Sequence, residues 1–352
     1  MAQGITYTNH VGDILDKVLA GIDYNKAFII ADENTARLVV PRLKSTVLAG
    51  VPIITIPAGE ESKNLETLTY VWTQLSDLGA TRNSIVVNVG GGMVTDLGGF
   101  AAATFKRGIR FINCPTSLLG AVDASVGGKT GIDFNGLKNE IGAFSMPLHT
   151  IVSSCFLDTL PMTEIKAGYA EMLKHALLHS HDLFCQLLKT DFSTSFNTDA
   201  FLKTMEQSVA IKLQYVDSDP FETGTRRALN LGHTVAHAFE SLALKRGKPI
   251  QHGFAVAWGM VAETYLSHKL FGFSSQDLYA LAQFVLDNYG AFHITCDDYE
   301  ALIAFMTHDK KSRDGEINCV LLSQCGAPQF DAAISTDHMK EALDIYRDLM
   351  HI

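Results

Sequence analysis

Ser84-Ile85-Val86-Val87-Asn88-Val89, running into Gly90-Gly91-Gly92-Met93-Val94-Thr95-Asp96, is the stretch whose reading decides the fold. Its first half is a short, almost unbroken apolar run, the pattern of a strand buried on both faces. Helical periodicity follows over residues 95–105. Glycines between a strand and a helix let backbone amides approach an anion, and a helix N-terminus favours negative charge. The spacing is not G-x-G-x-x-G, so this segment alone reads equally well as a tight strand-to-helix turn. Working outward, residues 26–31, 51–56, 110–114 and 150–153 read as further buried strands, and residues 64–78 as a helix. Strands alternating with helices predict a parallel sheet covered on both faces.

After residue 154 the texture changes. Residues 160–179, 202–216, 228–244, 254–270, 275–288 and 336–350 read as helices. Only residues 317–322 read as a strand, entered by the turn Asp314-Gly315. The expected organisation is an α/β domain over residues 1–154 and a mostly α-helical domain over 155–352. No Pro/Gly/Ser-rich linker separates them, so close packing with the active site in a cleft between them is expected.

Composition narrows the function classes. The 352 residues are 47% hydrophobic and 19% charged, an ordinary globular balance. The net charge of -10 argues against nucleic-acid or anionic-membrane partners, so an anionic substrate needs a local basic cluster. The six cysteines are scattered, with no C-x-x-C pair, and read as reduced core residues. Neither a signal peptide nor a membrane-spanning run is evident, and a cytoplasmic location is expected.

Three segments carry chemistry. Asp123-Ala124-Ser125-Val126-Gly127-Gly128-Lys129-Thr130 ends like a Walker A loop but has Asp123 where that motif has its first glycine. It reads as a glycine-rich loop presenting Lys129 to an anion. Along Glu222-x-Gly-x-Arg226-x-x-x-Asn230-x-x-His233-x-x-x-His237, Asn230, His233 and His237 would share one helix face, and a His pair at i, i+4 offers two metal ligands. Thr234 replaces the glutamate of the zinc-protease motif, which disfavours a protease. The bland reading is a capped helix with buried histidines. Glu171 and His252, each unremarkable alone, could join His233 as three ligands with a position left open for a substrate oxygen. Asp32, at the end of the first strand read here, could accept from a ribose.

Taken in order, these segments resemble the 3-dehydroquinate synthases. The matching stretches are Pro57-Ala58-Gly59-Glu60-x-x-Lys63, residues 90–99, Lys106-Arg107-Gly108, Pro115-Thr116-Ser117-Leu118-Leu119, residues 122–129 and Lys138-Asn139-x-Ile141-Gly142-Ala143-Phe144. They continue through Gly168-x-Ala170-Glu171, Asn230-x-Gly232-His233-Thr234, His237-Ala238-x-Glu240, His252-Gly253 and Asp309-Lys310-Lys311. Thr95 and Leu137 stand where the family often has glycine, and neither change removes a polar group.

The resemblance implies a Rossmann-like NAD-binding first domain and a metal- and substrate-binding helical second domain. It implies NAD and a divalent metal, usually zinc, with cobalt an alternative, and a homodimer. By position it makes Glu171, His233 and His252 the metal ligands and sets His237 beside the substrate phosphate, against the unaided reading of both histidines as ligands. The NAD positions are Asp32, Asn34, Glu60, Lys63, Gly91, Gly92, Met93, Asp96, Thr116, Ser117, Phe156 and Thr159. The substrate positions are Asp123, Lys129, Lys138, Asn139, Lys212, Arg226, Asn230, His237 and Lys310 or Lys311, with Arg107 serving a neighbouring subunit's site. Glu222 and His237 are the candidates for proton shuttling, with Lys129 and Arg226 as charged catalytic partners. The implied activity converts 3-deoxy-D-arabino-heptulosonate 7-phosphate to 3-dehydroquinate and phosphate by transient oxidation, phosphate elimination, re-reduction and aldol closure. The alternatives are a related sugar-phosphate cyclase, a metal-dependent polyol dehydrogenase, and a catalytically dead binding protein.

Overall fold

The computed structural model describes residues 4–135, 137–307 and 317–352. The chain divides into two compact units, residues 1–168 with 193–213 and residues 169–192 with 214–352. The Asp314-Gly315 turn lies outside the described residues.

The first unit holds β1 (Gly4–Tyr7), α1 (Val11–Ala20), β2 (Ala27–Asp32), α2 (Glu33–Leu38), β3 (Ile53–Ile56), α3 (Leu65–Asp77), β4 (Ile85–Gly90) and α4 (Gly92–Thr104). It continues with β5 (Arg110–Pro115), a hairpin of β6 (Lys129–Phe134) and β7 (Leu137–Phe144), and β8 (His149–Val152). Six strands form one parallel sheet in the order β1-β8-β5-β4-β2-β3. Every residue of β2 and β4 is buried. Alternate residues feed two cores: Phe28, Ile30 and Val86 point to one, and Ile29, Ala31, Val87 and Val89 to the other. That two-sided burial is why these strands read as continuous apolar runs. Helix α4 lies so close to β4 that a Cβ on Gly98 would meet Asn88 Oδ1 at 2.1 Å, which explains a glycine in mid-helix.

In the rest of the chain come α5 (Met162–Leu177), α6 (His181–Leu187), α7 (Asp199–Ser218), α8 (His233–Lys245), α9 (His252–Phe271), α10 (Ser275–Tyr289) and α11 (Tyr299–Thr307). An antiparallel pair, β9 (Ile317–Gln324) and β10 (Ala327–Ile334), precedes α12 (Thr336–Leu349). None of the helices among the described residues is long and apolar enough to cross a membrane. The α/β sheet with a helical remainder is the predicted class.

Several expectations need correction. The helix expected over 228–244 is broken: Thr225–Asn230 is a 3-10 turn, Gly232 takes a left-handed φ of +80°, and α8 starts at His233. Asn230 therefore does not share a helix face with the histidines. β10 was not expected, because Pro328 and Gln329 disturb the alternation of a strand. Of the six cysteines, only Cys114 and Cys319 are buried, and Cys296 is exposed.

Candidate active site

Helices α5, α8 and α9 bring three side chains able to ligate a metal to one point. Glu171, on α5, is fully buried. His233 and His252 are the first residues of α8 and α9. Both histidine Nε2 atoms lie 3.6 Å from Glu171 Oε1. Ligand atoms about 2.1 Å from a tetrahedral zinc are about 3.4 Å apart, so the spacing suits one ion. The other ring nitrogens are turned away. His233 Nδ1 lies 3.1 Å from the Leu231 carbonyl, to which it donates, and His252 Nδ1 lies 3.4 Å from Glu240 Oε2. Such contacts fix the tautomer that leaves Nε2 as the lone-pair donor. Burial opposes charge on His252, but Glu240 and Glu171 outweigh it and lift its pKa to about 9. The pocket thus favours a positive charge at this point, and a carboxylate with two imidazoles suits a borderline divalent metal.

His237 lies one turn along α8, its ring centroid 5.5 Å from that of His233 and 6.2 Å from that of His252. Its ligand atom clusters with Glu240 and His252, not with Glu171. Lys174, one turn after Glu171 and itself buried, forms an ion pair with Glu171. Sequence reasoning missed Lys174 and Glu240. Their spacings, i+3 from Glu171 and i+3 from His237, were the available signals.

The loop before α8 is organised by Asp219. Its carboxylate accepts from the amides of Thr223 (3.0 Å), Gly224 (2.6 Å) and Arg226 (3.1 Å). Burial works against its charge, but these donors hold its pKa below the usual carboxylate range. Glu222, inside the loop, sits at φ +59° and accepts from Asn230 Nδ2 at 3.0 Å. Arg226 is buried, and its Nη1 donates to the Pro220 carbonyl at 2.7 Å. Glu222, Arg226 and Asn230 are therefore held in one loop.

In the first unit the glycine turn lies against the segment after β5. A Cβ on Gly91 would meet Ser117 Oγ at 3.1 Å, and the Thr116 amide donates to the Gly90 carbonyl at 2.9 Å. Met93 packs its side chain on the sheet core. Lys63 is buried, and its ammonium donates to Asp96 Oδ2 (2.7 Å), Asn139 Oδ1 (2.6 Å) and Glu60 Oε1 (3.4 Å). Burial opposes that charge, but Asp96 and Glu60 keep the Lys63 pKa above its ordinary value. Two predicted sets, Lys63, Glu60 and Asp96 for NAD and Asn139 for substrate, thus meet in one network. Lys212 donates to the Asp123 carboxylate at 2.7 Å and to its carbonyl at 2.6 Å.

Asp32 is the N-cap of α2. Its carboxylate accepts from the Asn34 and Thr35 amides, so the amide of Asn34 is committed to the cap. Phe156 is buried beside the sheet, and Thr159 Oγ1 donates to its carbonyl at 2.7 Å. Lys129 opens β6 and Lys138 lies on β7, both exposed. Arg107, exposed at φ +69°, ends a tight turn after α4. Lys310 and Lys311 lie outside the described residues.

Comparison with known proteins places this architecture. The profile of the 3-dehydroquinate synthase N-terminal region matches residues 53–167, and that of the C-terminal region matches residues 168–312. The 3-dehydroquinate synthase of Parabacteroides distasonis is 46% identical over 335 residues, covering 95% of each chain. That of Pyrococcus furiosus is 39% identical over 293 residues, covering 82% of this chain and 84% of its own. Among solved structures, the 2-epi-5-epi-valiolone synthase of Streptomyces hygroscopicus subsp. jinggangensis, with NAD+ and Zn2+ bound, superposes with a TM-score of 0.88. It is 25% identical and covers 99% of this chain and 97% of its own. A 2-deoxy-scyllo-inosose synthase at 23% identity and a TM-score of 0.81, covering 96% and 95%, shares the fold. With both family profiles matched and a relative nearly half identical along almost its whole length, the chain belongs to the 3-dehydroquinate synthase family.

Proposed function

We propose that this chain is a phosphate-eliminating cyclase that converts 3-deoxy-D-arabino-heptulosonate 7-phosphate to 3-dehydroquinate and inorganic phosphate, using NAD and a divalent metal, zinc or cobalt. The observation that carries the metal reading is the convergence of Glu171 and the two Nε2 atoms, with each Nδ1 turned to a protein oxygen. When bound, NAD supplies a hydride acceptor that the reaction regenerates, and the metal supplies a Lewis acid for the substrate hydroxyls.

The chain's residues do the rest. Glu171, His233 and His252 hold the metal. Asp32, Asn34, Glu60, Lys63, Gly91, Gly92, Met93, Asp96, Thr116, Ser117, Phe156 and Thr159 form the NAD site, all but Phe156 and Thr159 within a domain we take as residues 1–154. The domain over 155–352 carries the metal and the buried Arg226, whose planar guanidinium suits the substrate carboxylate. Lys129, Asn139, Asn230, His237 and Lys310 or Lys311 hold the phosphate, with Arg107 of a second copy completing the set in a homodimer, and Lys138 contacts the substrate. Lys212 and Asp123, paired to each other, contact the substrate. Glu222, bonded to Asn230, and His237 are the candidates for moving protons. The proposed location is the cytoplasm, with no nucleic-acid or membrane partner.

The test is an assay that follows phosphate and NADH together. Phosphate release from the heptulosonate phosphate with no net change in NADH absorbance is the expected result. Net NADH formation would indicate a polyol dehydrogenase, and turnover of a substrate lacking the carboxylate would indicate another cyclase.

A further inference from the structure

Glu263 is a fully buried carboxylate to which the proposed reaction gives no role. It lies on α9 and faces the start of α8. Its Oε2 accepts from the Gly232 amide at 2.6 Å, and its Oε1 accepts from the Val235 amide at 3.1 Å. These are the N-cap and N3 positions of α8, the two amides that a capping box satisfies with local side chains. Helix α8 has no local means of doing so, because its N-cap is glycine and its N3 residue is valine.

The glycine is forced by packing. A Cβ on Gly232 would meet Met260 Cγ at 2.7 Å, and one on Gly259 would meet the Gly232 carbonyl at 2.0 Å. The left-handed φ of +80° also disfavours a Ser, Thr or Asp cap there. A carboxylate from the neighbouring helix takes both bonds instead. It is charge-assisted on each side and sits at the positive end of the helix dipole. His233 stands between the two clamped amides.

Building on the metal reading above, we propose that Glu263 is a positioning residue for His233, a capping box supplied by another helix that sets where the imidazole Nε2 points. The bond from the ring Nδ1 to the Leu231 carbonyl holds the tautomer. Glu263 holds the backbone from which the ring projects.

The experiment measures metal affinity of metal-free full-length protein by titrating zinc against a chelator, without substrate. Glu263→Gln keeps the size of the side chain but turns an NH2 toward one of the two amides. It should bind zinc about 10- to 100-fold more weakly than wild type, the usual cost of losing support behind a metal ligand. At saturating zinc kcat should largely recover, with substrate KM unchanged. Leu266→Ala, a buried apolar truncation on the same helix, should lower Tm without weakening zinc. Should Glu263→Gln fail to fold, Glu263→Asp carries the same test, keeping the charge but too short to reach both amides. Wild-type zinc affinity in a Glu263 variant with lowered Tm would overturn the proposal and leave Glu263 a stability residue. A wild type that takes up no metal would overturn the metal reading itself.

Discussion

Arg226→Ala tests the claim that decides which carbocycle this chain makes. The side chain is 2% exposed, its Nη1 donates to Pro220, and its own amide donates to Asp219. The guanidinium is therefore placed by its loop before substrate arrives, and little ordering entropy opposes its pairing with a carboxylate. Losing a charge-assisted bond of this kind should cost about 2 to 4 kcal/mol in transition-state stabilisation, a fall of roughly 30- to 1,000-fold in kcat/KM. The fold should survive, since the substitution keeps the backbone amide at position 226 and with it all three amide bonds to Asp219 that organise the loop. Arg226→Lys should recover only part of the activity, because an ammonium cannot make the bidentate pair. Arg227→Ala, whose guanidinium Nε donates to the Gly224 carbonyl, should be nearly silent. Sedoheptulose 7-phosphate lacks the carboxylate and should be rejected. The assay is phosphate release with Tm measured alongside. A harmless Arg226→Ala, or cyclisation of sedoheptulose 7-phosphate at a comparable rate, would refute the reasoning.

His252→Ala should lose most bound metal and nearly all turnover while its circular dichroism stays native; metal analysis showing full occupancy would remove His252 from the site. Mixing Arg107→Ala chains with His233→Ala chains should restore part of the activity, because some hybrid dimers carry one site with both its arginine and its ligands. No recovery after proven subunit exchange would place Arg107 in its own subunit's site. Asp16 supplies a pH prediction: burial works against its charge, but bonds from Ser45, Thr46 and Val47 hold its pKa at about 2. A lowered folded-state pKa means stability present above about pH 4 and lost as pH falls toward 2. Comparing Tm against pH for wild type and Asp16→Asn should show the variant with the shallower acid limb, and coincident curves would contradict the assignment.

The parallel sheet was readable because burial on both faces leaves its mark within each strand. Residues 85–90 need no distant information to look like a central strand. The β6–β7 hairpin was not read, and its burial pattern shows why: β7 is exposed along nearly its whole length and carries no inward-facing alternation. The break at Gly232 was missed for a different reason. The apolar spacing on both sides of it suits a helix, and what stops the helix is the close approach of α9, a contact that no local window contains.

The same division runs through the site. Which residue types could bind a metal was visible in the spacing of His233 and His237, but the i, i+4 pattern makes both histidines equal candidates. What separates them is Glu171, reached only when α5 packs beside α8, so local periodicity could not decide between them. Position by position, the family resemblance named Glu171 and His252, because those residues stand in recognisable sequence neighbourhoods. It gave Glu240 no role, although that residue stands in a matching stretch, and was silent on Glu263; their roles depend on bonds to ring and backbone atoms far along the chain. A carboxylate that caps another helix leaves no spacing to detect, because its partners are amides that every residue but proline carries. The ligands of such a site are legible from sequence to the extent that their chemistry is rare; the groups that aim those ligands use common chemistry and become visible only when the helices are packed.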